Sequence, residues 1–164
     1  MRLRPRGNCR SRKILCCGFG ALSSRAGLLA TTVNSYDRLN PGDLAGYWAN
    51  WVGDNRLVTT RTSSKSPKSV RLEHRMADYA TNPYQAVATV LHAARLGYVN
   101  KLPLQPAEDL DGWANVREKW HVPSGLDKSL DVLDQDVELG KDIGELYCDE
   151  FLYLKLDELK RFFW

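Results

Sequence analysis

The run Val70-Arg71-Leu72-Glu73-His74-Arg75-Met76 alternates charged with less polar side chains without a break. Read as a β-strand, Arg71, Glu73 and Arg75 share one face, and Val70, Leu72, His74 and Met76 share the other. Two guanidiniums flanking a carboxylate have two uses. One is a solvated face with a cross-strand ion pair. The other is a wall that takes anions, its carboxylate serving as a ligand for a hard divalent cation that bridges phosphates. Further arginines precede this run: Arg38 after Asn34-Ser35-Tyr36-Asp37, Arg56 after Gly53-Asp54-Asn55, and Arg61 five residues later. The odd separation of Arg56 and Arg61 puts them on opposite faces of a regular strand. A shared site then needs a bulge near Leu57 to Thr60. Spacing alone leaves both readings of the arginines open.

The elements that must position these residues follow from local pattern. Asn40-Pro41-Gly42 carries turn chemistry. Tyr47, Trp48, Trp51, Val58, Thr59 and Thr60 favour strands, with Gly53-Asp54-Asn55 as a turn between them. A polar connection over 62–69 then leads into the strand at 70–76. Asn82 is a good helix N-cap and Pro83 suits the first turn. Val87, Val90, Leu91, Ala94 and Leu96 spread round the circumference and predict a buried helix, with Gly97 as its C-terminal stop. Residues 100–123 read as a long loop with Pro103, Pro106 and Pro123. Ser124 with Asp127 resembles a capping box. Leu126, Leu130, Leu133 and Val137 form one helical stripe, and a final helix from about Glu145 carries Leu152, Leu156, Leu159 and Phe163. Strands early and helices late predict an α+β fold. About three strands with helices on one side leave strand edges without partners, so the chain is expected to pair with another copy or to belong to something larger.

Composition bounds the rest. The 164 residues are 43% hydrophobic and 26% charged, enough for one domain with its own core. No apolar run approaches the roughly 18 residues that cross a membrane. The formal net charge of +3 is unevenly spread: residues 1–36 hold seven basic side chains and no acid, leaving −4 for the remainder. Residues 1–27 therefore read as a basic tail, disordered or foreign to the domain that follows at 28–164. The competing readings are a mitochondrial-type presequence and a secretory signal, the latter weakened by Arg25 near the cleavage position. The tail lacks interleaved aromatics for base stacking, so no nucleic-acid partner is expected. Cys9, Cys16, Cys17 and Cys148 form neither a zinc pair nor a disulfide framework, which points to a reducing, cytoplasmic setting. His74 reads as a core histidine, and His92 and His121 have no metal spacing. Trp48, Trp51, Trp113, Trp120 and Trp164 read as packing or interface residues.

The quoted segments together carry a resemblance. "NSYDRLNPG", "DNR" with another arginine five residues on, "RLEHR" and "TNPY" are similar in order and spacing to the C-terminal catalytic region of glutamine synthetases, over roughly Leu28 to Trp164. The resemblance implies part of that catalytic domain, with antiparallel strands packed against C-terminal helices in an incomplete sheet. It implies an activity: ATP phosphorylates the γ-carboxylate of glutamate, and ammonia or another amine attacks the γ-glutamyl phosphate. By position, Arg38 and Arg75 resemble the arginines that hold glutamate. Arg56 and Arg61 resemble those facing the transferred phosphoryl group, Arg71 lies near the nucleotide phosphates, and Glu73 resembles a ligand of Mg2+ or Mn2+. Asn82 and Pro83 resemble the family's helix-opening pair. Such chemistry needs positioning and charge neutralisation rather than a nucleophilic side chain.

Two departures qualify this. Where the family carries a glutamate that attracts ammonium, this sequence has Leu44, which suits a pocket for a larger amine. The family's other metal carboxylates, its "NGxHxH"-like strand and its small N-terminal domain lie upstream of anything matched here. The chain is thus expected to be a C-terminal portion, inactive alone, that works as a homo-oligomer or with a missing N-terminal half. The alternative is a non-catalytic module that binds anions or other subunits. The segment "DGWANVREKW" has no tyrosine, so modification by adenylylation is unsupported.

Overall fold

The computed structural model describes residues 25–40, 47–63, 71–108 and 121–163. Leu44, the segment 111–120, most of the basic tail and Val70 lie outside them. In chain order the elements are α1 (Ala26–Leu29), a 3-10 helix (Val33–Arg38), β1 (Trp51–Gly53), β2 (Thr60–Ser63), β3 (Arg71–His74), α2 (Pro83–Val99), α3 (Leu126–Asp134), α4 (Val137–Ile143) and α5 (Glu145–Phe162). This is an α+β arrangement: among the described residues a three-stranded open sheet follows α1 and the 3-10 helix and precedes the longer helices.

β2 lies at the centre of the sheet. It pairs antiparallel with β3, placing Thr60 opposite His74, Arg61 opposite Glu73, Thr62 opposite Leu72 and Ser63 opposite Arg71. Its pairing with β1 is parallel, whereas antiparallel neighbours were expected on both sides. The reason is local. Asp54 adopts a left-handed conformation with φ of 53°, and the Asn55 side chain accepts a bond from the Leu57 amide at 2.8 Å. Residues 54–59 thereby swing the chain back until the Thr60 amide meets the Asn50 carbonyl and the Asp54 amide meets that of Thr62, each at 3.0 Å. β1 is only three residues long, so the return path is about 10 Å, within reach of six residues.

The core sits where α1 meets α2 and α3. Ala26, Leu28 and Leu29 are fully buried beside Leu130, Leu139, Met76 and Val122. Full burial of each leucine contributes about 1.5–3 kcal/mol. Gly27 permits the contact: a Cβ there would lie 3.3 Å from the Ser129 carbonyl oxygen of α3. The turn before α2 is tied to α1 by the Thr81 hydroxyl, which donates to the Leu29 carbonyl at 2.6 Å.

The helices depart from the simple stripes. α2 starts as expected, with the Asn82 side chain accepting from the Tyr84 amide at 3.0 Å and Pro83 in the first turn. It buries Gln85, Thr89, Ala93, Ala94, Leu96 and Gly97, while Val87 and Leu91 are 59% and 62% exposed. It also runs through Gly97 to Val99, because Lys101 rather than the glycine takes the left-handed position, with φ of 49°. Ser124 does not cap α3: the cap residue is Gly125, without a side-chain bond, and the Ser124 hydroxyl instead accepts from Lys128. The stripe through Leu126, Leu130 and Leu133 ends before Val137, which is exposed. Asp136 breaks it by capping α4 through the Leu139 amide at 3.0 Å. On α5, Cys148, Leu152 and Leu159 are buried, and Leu156 and Phe163 are exposed.

Candidate functional site

Alternation along β3 and its register with β2 bring the chemistry together. Arg61 stands directly across from Glu73, and its Nη2 lies 3.0 Å from Glu73 Oε2. Two residues beyond Glu73, the Nε of Arg75 lies 3.4 Å from the other carboxylate oxygen. Each oxygen thus engages a different guanidinium. The arginine side chains are only 16% and 22% exposed, against 40% for the carboxylate.

A third guanidinium arrives from a separate segment. Arg38 ends the 3-10 helix, whose start is fixed by a reciprocal Thr32–Ser35 capping box. Its Nη1 donates to the carbonyl of Arg75 at 3.4 Å and its Nη2 to that of Met76. Arg38 is therefore bonded to backbone just past β3. Among the described residues a buried nitrogen on each of the three arginines has no hydrogen-bond acceptor: Nε of Arg38, Nε of Arg61 and Nη1 of Arg75. Two guanidiniums and one carboxylate leave the ion-paired group with a net charge of +1, and Arg38 adds a further positive charge beside the backbone at Arg75.

The other two arginines stand apart. Arg71 is exposed at the far end of β3, opposite Ser63. Arg56 is exposed in the loop before β2, and among the described residues no ion pair joins it to the cluster. No bulge brings Arg56 and Arg61 together, since Arg56 precedes the strand altogether. His74 projects from the opposite face of β3. Burial of its ring lowers its pKa to about 4, so it is neutral at pH 7.

A buried polar pair that no sequence motif marks braces the chain entering β2. Asn50 donates from Nδ2 to Glu108 at 2.9 Å and accepts from the Thr59 amide at 3.1 Å. Trp51 adds a bond from its indole nitrogen to the Gln105 carbonyl at 2.9 Å. These contacts pin β1 and the chain entering β2, and so the base from which Arg61 projects. No local signal announces a pair 58 residues apart. Among the described residues one cleft of about 300 Å³ lies beside Tyr84, Ile143 and Tyr147.

A divalent cation of the Mg2+ type needs about six oxygen ligands. Among the described residues no group of three or more His, Cys, Asp or Glu side chains converges. Glu73 is the single carboxylate in the cluster, and both its oxygens face guanidiniums. The described residues alone do not fit such an ion.

Residues 20–163 match the model of the family described as "Glutamine synthetase, catalytic domain", and the chain belongs to that family. It is 31% identical over 151 residues to gamma-glutamylputrescine synthetase PuuA of Escherichia coli (strain K12), covering 92% of this chain and 32% of that protein. It is 32% identical over 138 residues to glutamine synthetase of Pasteurella multocida (strain Pm70), covering 79% and 29%. The figures for glutamine synthetase of Staphylococcus aureus (strain MW2) are 32% over 145 residues, covering 83% and 32%. The chain thus spans about a third of the length of these relatives. Among the described residues no helix is long and apolar enough to cross a membrane.

Proposed function

We propose that this chain supplies the arginine wall of an ATP-dependent carboxylate–amine ligase acting on glutamate. The observation that supports the reading is that Arg61 and Arg75 share the Glu73 carboxylate while Arg38, from a separate segment, bonds to the backbone of Arg75 and Met76 beside them. In the reaction, a γ-carboxylate oxygen of glutamate attacks the terminal phosphorus of ATP and ADP leaves. The amine nitrogen then attacks the acyl carbon, the C–O bond to phosphate breaks, and the nitrogen loses a proton. Both steps gather negative charge on oxygen, which fixed guanidiniums stabilise. Arg61, with Arg56 if its loop folds inward, faces the transferred phosphoryl group. Arg38 and Arg75 hold the carboxylate end of glutamate, and Arg71 reaches the nucleotide phosphates. The family resemblance adds Mg2+ or Mn2+ as companion to ATP, with ligands beyond those described here. A cytoplasmic setting and assembly with further copies, or with the remainder of the catalytic domain, belong to the same proposal. The amine is ammonia or, given Leu44 and the name of one relative, a larger amine.

A second reading is favoured by the one-carboxylate cluster: a module that keeps the anion site without catalysing ligation. One pair of measurements tests the anion site that both readings share. The purified 164-residue chain is expected to bind ATP by calorimetry, with Arg61→Ala weakening it about tenfold or more. It is also expected to release no ADP with glutamate and ammonia, putrescine or ethanolamine. Amine-dependent turnover would make the chain an autonomous ligase, and absence of ATP binding would remove both readings.

A further inference from the structure

We infer that Glu73 is a positioning residue: it sets the guanidiniums of Arg61 and Arg75 for a polyanion and does not itself hold a cation. This rests on the anion-binding reading above and assigns a role within the same site.

The geometry of the contacts carries it. A carboxylate that only neutralises an arginine is commonly gripped by two N–H groups of one guanidinium, side by side. Glu73 instead divides its oxygens, one to Arg61 at 3.0 Å and one to Arg75 at 3.4 Å. The contacts use Nη2 of Arg61 and Nε of Arg75, which leaves Nε of Arg61 and Nη1 of Arg75 buried without a hydrogen-bond acceptor among the described residues. Nε of Arg38 is in the same condition. A buried donor without an acceptor is costly, so what this cluster lacks is a ligand rich in oxygen acceptors. The cross-strand register supports the same assignment, because Arg61 and Glu73 are held opposite each other by the β2–β3 ladder itself. A divalent cation approaching either oxygen would have to displace a guanidinium and then sit beside two positive charges.

The test uses the full chain with inorganic tripolyphosphate as the probe, followed by calorimetry in EDTA. Wild type is expected to bind without any divalent cation. Glu73→Gln removes a negative charge, so charge alone predicts tighter binding, whereas loss of positioning predicts binding about tenfold weaker or worse. A metal-ligand role predicts no change in EDTA. Glu73→Asp keeps the charge but cannot span both arginines. It is expected to weaken binding as well, with circular dichroism checking that each variant is folded. Equal or tighter binding by folded Glu73→Gln overturns the inference while leaving the anion site standing. Absence of wild-type binding in EDTA overturns both. A third measurement needs no variant: Mn2+ added to wild type is expected to weaken binding by chelating the probe, and tightening would overturn the inference.

Discussion

His74 illustrates what one residue contributes. Alternation along β3 assigns it to the face opposite Glu73, and the fold buries its ring nitrogens there. Burial lowers its pKa from 6.5 to about 4. The unfolded chain therefore binds a proton between those two values that the folded chain refuses. Stability from this residue is complete above pH 6.5 and falls as pH drops towards 4. The full step is on the order of 3 kcal/mol. Urea unfolding from pH 7 to pH 4 is expected to show it, and His74→Gln is expected to flatten that part of the profile. An unchanged slope in the variant would assign the acid sensitivity elsewhere.

At the scale of elements, the end of α2 shows how a helix stop can differ from the residue that advertises it. Gly97 is the better left-handed residue, yet it lies inside the helix and is buried. The stop is made four residues later. The Lys101 amide bonds to the Tyr98 carbonyl at 3.4 Å and the Leu102 amide to that of Gly97 at 3.1 Å, the pattern of a Schellman cap. Lys101 holds the left-handed position despite its Cβ. Lys101→Gly is expected to stabilise the fold by about 0.5–1 kcal/mol, raising the thermal midpoint by about 1–4 °C. A lower midpoint would mean that the lysine side chain makes a compensating contact. The face that α2 buries was not legible either, because Gln85 and Thr89 look like surface residues. Inside, Gln85 donates to the Leu28 carbonyl at 2.7 Å and accepts from the Tyr147 hydroxyl at 2.6 Å, and Thr89 donates to the Gln85 carbonyl at 2.8 Å. With these polar groups satisfied, they displace Val87 and Leu91 from the interior.

At the scale of the whole molecule, the longest tether among the described residues is an ion pair between residues 111 apart. By sequence, Arg25 is one more cation at the end of a basic tail. In the fold its side chain is 3% exposed and its Nε lies 3.0 Å from Asp136 Oδ2. Asp136 also caps α4 through Leu139, so one carboxylate joins the start of α1 to the junction of α3 and α4. Asp136→Ala strands a buried guanidinium and removes a cap. It is expected to cost about 3–5 kcal/mol in chemical denaturation, well beyond the roughly 1 kcal/mol of a cap alone. A loss near the smaller figure would show that Arg25 finds other partners.

The sequence by itself determined what short-range stereochemistry can specify. It set the two-residue alternation that puts Arg71 and Glu73 on one face of β3, the Asn82-Pro83 helix start, and the α+β class, though not the short helices ahead of the strands. Motif order also reached the family, because reactive side chains at set spacings are preserved in the chain itself. Tertiary structure decided which arginines meet. Arg38 reaches Arg75 across 37 residues, while Arg56, much nearer in sequence to Arg61, stays outside the cluster. It likewise decided the parallel β1–β2 pairing and the burial of Arg25. These outcomes depend on partners far along the chain, and a hydrogen bond or ion pair between such partners leaves no periodic mark in either stretch of sequence.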